Sequence, residues 1–207
     1  MIARPLLVSM TAAALATATL LSPGGVHAAH MAGPSVKSVS LTLQDVQKEY
    51  GASFRPFIQH TYPASKYKVC GANYLGAYAS TFGNFKKATG GTAVVSVTNT
   101  VDVFASSSSS ACAAKMSATG MVKLAQKSPS KVTVRLAPLS GVGDTAYMLT
   151  MVTAAQPHRS YSTMIQLSRG NYGATLMVSG IGGQPSRAGV IALARLQDAR
   201  LQAASHS

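Results

Sequence analysis

Three features of the sequence predict an α+β fold, an antiparallel sheet of about five strands with flanking N-terminal and C-terminal helices. Apolar and polar residues alternate with period two in several runs beyond residue 92. Helical spacing shows at both ends of the mature part, around Leu43–Tyr50 and again after Pro185. The last runs are joined by short turns, which favour antiparallel neighbours over parallel crossovers.

Residues 1–28 read as a secretory signal. Arg4 is the only charged side chain before Lys37, Leu6 to Leu21 is apolar, and Ser22-Pro23-Gly24-Gly25 breaks that run before the small residues around Ala28. Cleavage after Ala28 fits, and cleavage after Ala29 fits almost as well. The apolar run is short and no stop-transfer charge follows it, so the mature chain is expected to carry no transmembrane segment. About 178 residues then remain, enough for one domain with a real core. A flexible lead is expected over 29–38 and a single α+β domain over 39–204.

Thr42 followed by Asp45 reads as a helix start, with Leu43, Val46 and Tyr50 on one face and Gly51 at the C-cap. A strand is expected near Lys66–Tyr74, and the clearest one at Thr92–Phe104. There Ala93, Val95, Val97, Val101 and Val103 share one face, and Ser96, Thr98, Thr100 and Asp102 the other. The serines 106–110 open a short helix that continues to Met116. Val132, Val134 and Leu136 alternate with Lys131, Thr133 and Arg135, and a further strand is expected at Thr145–Thr153. Tyr161–Ser168 and Tyr172–Val178 flank Arg169-Gly170-Asn171, whose Gly-Asn pair is a two-residue hairpin turn. A last helix runs from Pro185 or Ser186 to about Ala203. Val190, Leu193, Ala194 and Leu201 form its apolar stripe, and Arg187, Arg195, Asp198 and Gln202 its wet side.

Cys70 and Cys112 are the two cysteines. In an oxidising compartment such a pair forms a disulfide; two free buried thiols are the competing reading. Two Cys without clustered His cannot build a metal site, so neither a metal nor a cofactor is expected.

Eighteen Lys and Arg against five Asp and Glu give a net charge of +13, which draws the chain toward anionic surfaces or merely keeps it soluble. Lys66, Lys68, Lys131, Arg135 and Arg169 are the anion-binding candidates. The scarcity of carboxylates argues against most catalysis. Asp45 and Glu49 belong to a helix, Asp198 is expected to face Arg195, and the spacing of Asp102 and Asp144 makes no acid/base pair. His60 and His158 are read as solvated loop residues. Ser128-Pro129-Ser130-Lys131 matches SxxK but lacks the companion SDN and KTG elements, so no catalytic residue is named. In Gly141-Val142-Gly143-Asp144-Thr145-Ala146-Tyr147, the glycines allow a tight turn and Asp144 can accept from backbone N–H groups. Gly141, Gly143, Asp144, Gly170 and Asn171 are therefore assigned to turns.

That string, the Arg169-Gly170-Asn171 turn, the later Ala192-Leu193-Ala194 and the opening Leu41-Thr42-Leu43-Gln44-Asp45-Val46 resemble exported actinobacterial lipoprotein-type domains and the related extracellular sensor domains of mycobacterial serine/threonine kinases. The likeness covers about two thirds of the mature chain, without a lipobox Cys, a transmembrane segment or a kinase. It implies an antiparallel sheet with flanking helices and a non-enzymatic envelope role, and it transfers no binding residue. The function expected is an exported, secreted or periplasmic binding or sensor-like module, partnered by a small ligand or an envelope protein. The alternatives are an electrostatic binder of anionic polymer, lipid membrane surface or extracellular nucleic acid, and a hydrolase with an unfamiliar site.

Overall fold

Thr42 and Asp45 start the first helix by capping each other. The Thr42 hydroxyl accepts the Asp45 N–H at 3.3 Å, and Asp45 Oδ2 accepts the Thr42 N–H at 2.6 Å. The computed structural model describes residues 35–84, 93–128, 132–154 and 159–206. The expected signal at 1–28, Lys131 and His158 lie outside them. The last four residues of the expected lead form a turn, with Ser38 N–H donating to Ser35 O at 2.8 Å and Val36 packed against the core.

The elements follow in the order Leu43–Tyr50 (α1), Phe54–Tyr62 (β1), Ser65–Val69 (β2), Ala72–Asn84 (β3), Ala93–Phe104 (β4), Ser107–Lys127 (α2), Val132–Pro138 (β5), Thr145–Ala154 (β6), Arg159–Arg169 (β7), Tyr172–Ile181 (β8) and Arg187–Ser205 (α3). Among the described residues the eight strands form one antiparallel sheet, ordered β1-β3-β4-β8-β7-β6-β5, with β2 paired to β3.

The α+β class holds, but the sheet is larger than the five strands expected, for two physical reasons. Strand β1 is an edge strand whose middle seven residues are exposed, so no alternation marks it. The single strand expected near Lys66–Tyr74 is a hairpin instead. Val69 pairs with Ala72, and the chain reverses through Cys70 at φ +52° and Gly71 at φ +84°. Helix α2 also outruns its expected end at Met116. Its buried face is built of Ser109, Ser110, Ala114 and Ala118, small residues that give little apolar contrast.

Helices cover the sheet on both faces. On one, Val46 of α1 and Val190, Leu193, Ala194 and Leu201 of α3 pack on Phe82, Val97, Val101, Ile165, Leu176 and Val178. On the other, Ala118, Met121 and Val122 of α2 pack on Leu149, Met164 and Met177. α2 packs mainly over the β5–β8 half of that second face. The disulfide between Cys70 and Cys112 ties the β2–β3 turn to the first part of α2, with the Cα atoms 6.1 Å apart. Ser110 of α2 donates to Gly170 O at 2.5 Å, so the same helix start also seats the β7–β8 turn. The disulfide and these turns gather at the end of the sheet where β4 finishes.

Candidate functional site

The most distinctive string of the sequence closes on an arginine. Arg169 Nη1 donates to Asp144 Oδ1 at 2.7 Å, while Nε and Nη2 donate to the two oxygens of Asp198, each at 2.7 Å. Asp144 Oδ2 accepts the Gly170 N–H at 2.8 Å, and its own N–H donates to Ser168 O at 2.7 Å. Gly143 makes this approach possible. Its φ is +65°, and a Cβ there would lie 2.6 Å from Ser168 O. Burial pushes the Asp198 carboxyl up, but the hydrogen bonds from Arg169 and the Gly143 N–H, with the guanidinium charge, hold it below the ordinary value. Asp198 is thus not the wet-side partner of Arg195. It is 8% exposed and joins α3 to the β7–β8 turn, a pairing across the fold that helical spacing alone does not reveal. With both carboxylates on it, the Arg169 guanidinium is committed to architecture.

Asp45 is held in the same way. Arg200 donates from Nη2 to Asp45 Oδ1 at 2.9 Å, and its Nη1 lies 2.8 Å from Oδ2. Burial raises the Asp45 carboxyl, yet the Thr42 N–H and hydroxyl and Arg200 together keep it below the usual carboxylate range. Glu49 stands exposed on α1.

Asp102 is different. It sits near the end of β4 on the α2 face, flanked across the sheet by Ala77 of β3 and Gly173 of β8. The Tyr74 hydroxyl donates to Asp102 Oδ1 at 3.2 Å. Among the described residues no Lys, Arg or His is ion-paired with it. Burial raises its pKa to about 6, against the opposing hydrogen bond from Tyr74. Further aromatic residues stand near Tyr74. Tyr74 meets Phe104 edge to face with ring centres 6.0 Å apart, and Tyr62, in register with Ala77, packs edge to face with His60 at 4.4 Å. Burial, the Asp102 charge and Tyr62 together push the Tyr74 hydroxyl pKa upward. The ring of Phe104 lies against Gly173, where a Cβ would come within 3.0 Å of Cε2. Tyr62, Tyr74 and Asp102 are half-buried and His60 is exposed, so the cluster opens to solvent beside α2. His60 is a strand residue, not the loop residue expected; its exposure on the edge strand hid that.

The anion-binding candidates are not brought together. Lys66 and Lys68 lie on β2 near one edge of the sheet, Arg135 is on β5 at the other, and Arg169 is held by Asp144 and Asp198.

Similarity to a solved structure extends over most of the chain. The fold is similar to that of the extracellular domain of PknH from Mycobacterium tuberculosis. The match covers 81% of this chain and 94% of that domain, at a TM-score of 0.57 and 12% sequence identity. The resemblance to the extracellular sensor domains of mycobacterial kinases therefore holds in three dimensions. At this identity the PknH domain shares the fold alone. No family pattern and no curated protein sequence matches the chain. Among the described residues no helix is long and apolar enough to cross a membrane, and no three His, Cys, Asp or Glu gather where they could hold a metal.

Proposed function

We propose that the chain is an exported, disulfide-closed binding module of the cell envelope, sensor-like and non-catalytic, that takes a ligand on the sheet face around Asp102. One observation carries this reading. Arg169 and Arg200 neutralise Asp144, Asp198 and Asp45, whereas among the described residues the half-buried carboxyl of Asp102 has a tyrosine hydroxyl and no cation. A half-buried charge kept without a counter-ion lowers the stability of the fold, and such groups gather where a ligand supplies the missing partner. The disulfide and the fold shared with the PknH domain support an extracytoplasmic setting. Among the described residues the candidates Lys66, Lys68, Arg135 and Arg169 gather on no single face, which does not favour a focused anionic site.

Amide and side-chain NMR during titration with a panel of sugars, amines and carboxylates tests the reading. Saturable shifts centred on Tyr62, Tyr74 and Asp102 are expected. Shifts confined to another surface would overturn the site. Hydrolysis of a model ester that Asp102→Asn abolishes would overturn the non-catalytic role in favour of a hydrolase.

A further inference from the structure

We propose that the cluster at Asp102 binds an organic ammonium group, with the carboxylate as its counter-ion and the rings of Tyr62 and Tyr74 as its walls. This rests on reading the face as a ligand site and names the class of ligand. Three observations point the same way. Tyr74 donates to Oδ1, and among the described residues no hydrogen bond reaches Oδ2. The two residues that flank Asp102 across the sheet, Ala77 and Gly173, are small; the Phe104 ring covers Gly173, and only the methyl of Ala77 stands on the other side. Tyr74 donates to the carboxylate and Tyr62 lies in register with its neighbour Ala77, and aromatic faces attract a positive charge that carries alkyl groups.

A hydrated metal ion fits less well. It needs several oxygen ligands, and among the described residues no cluster of three His, Cys, Asp or Glu includes Asp102. The chain's charge of +13 opposes a cation at long range, but screening confines that repulsion to about 8 Å at physiological salt, so the nearest groups decide. Those groups are the Asp102 carboxyl on β4, the Tyr74 hydroxyl on β3, and Tyr62 and His60 on β1, while β8 offers Gly173. Protons compete with the ammonium for the same carboxylate. Affinity should therefore fall about tenfold between pH 7 and pH 5, where a group titrating at about 6 loses its charge.

The experiment is a titration of the oxidised mature protein with choline and with n-butylamine, followed by NMR at pH 7, with glucose and acetate as controls. Choline and n-butylamine should saturate and move Tyr62, Tyr74 and Asp102. Asp102→Asn, checked for fold by near-ultraviolet circular dichroism, should lose at least about tenfold in affinity. His60→Gln should keep the fall in affinity toward pH 5, which assigns that fall to Asp102. Equal amine binding by wild type and Asp102→Asn would overturn the proposal. Glucose or acetate moving these residues while the amines do not would overturn the ammonium assignment and leave the binding face standing. No shift here with any of the four probes, together with no response to the wider panel, would remove both.

Discussion

Arg169 holds Asp198 with two parallel hydrogen bonds of 2.7 Å, fastening the β7–β8 turn to the last helix. The side chains are 23% and 12% exposed, so this pair is well shielded from solvent. Removing the guanidinium strands a mostly buried carboxylate. Arg169→Gln should cost about 2–4 kcal/mol in urea unfolding at pH 7. Arg169→Lys should recover only part, because a point charge cannot reproduce the fork. The Asp198 pKa is lowered on folding, so its stabilisation is full above the unfolded value of about 4 and fades as pH falls through the folded one. Arg169→Gln should flatten that acid limb, and an unchanged limb would show that the pair adds nothing.

Asp102 has the opposite sign. Its folded pKa is about 6, above the unfolded value, so between about pH 4 and 6 the folded state binds the extra proton. Stability from this group is therefore present below that window and lost as pH rises through it. Asp102→Asn should raise stability at pH 7 by up to about 3 kcal/mol, with little gain at pH 3.5. Denaturant melts at the two pH values check this; a loss at pH 7 would mean that the carboxylate is already compensated.

The disulfide closes a loop with a sequence separation of 42 residues. Chain entropy assigns such a closure about 4 kcal/mol. Reduction, or the Cys70→Ala/Cys112→Ala double variant, should lower the unfolding midpoint accordingly. A midpoint that does not move would remove the disulfide from the account of stability.

Two glycines of one turn separate strain from collision. Gly141 and Gly143 both have positive φ, but a Cβ at Gly141 meets nothing within 4 Å, whereas one at Gly143 runs into Ser168 O. Gly141→Ala should cost about 1–2 kcal/mol, and Gly143→Ala about 1–3 kcal/mol more. Equal costs would place Gly143 in a looser turn than the one described.

The readable parts of the sequence were those whose patterns are local. The Thr42–Asp45 cap, the alternation of β4 from Val97 onward, the Gly170-Asn171 turn and the stripe Val190, Leu193, Ala194 and Leu201 all follow from neighbours within a few residues, whereas an irregularity between Val94 and Ser96 turns Val94 and not Val95 to the core. Burial against the sheet then confirmed the stripe. β1 escaped because both its faces are exposed, and the β2–β3 hairpin because Cys70-Gly71 is not among the usual turn pairs. The candidate site was not legible. Asp102 read only as a strand carboxylate without an acid/base partner, and Tyr74 lies 28 residues away, so only strand pairing brings the two together. The same holds for Arg169 and Asp198, 29 residues apart, where a helix charge that reads as solvated turns inward to a hairpin.

Carboxyl carbon-13 NMR across a pH titration asks most directly whether Asp102 is the acid that the fold leaves uncompensated. Asp45 and Asp198 should titrate below the ordinary aspartate value, and Asp102 alone near 6. If Asp102 titrated below 4 with the others, its charge would already be neutralised within the protein, and the ligand site would lose its foundation.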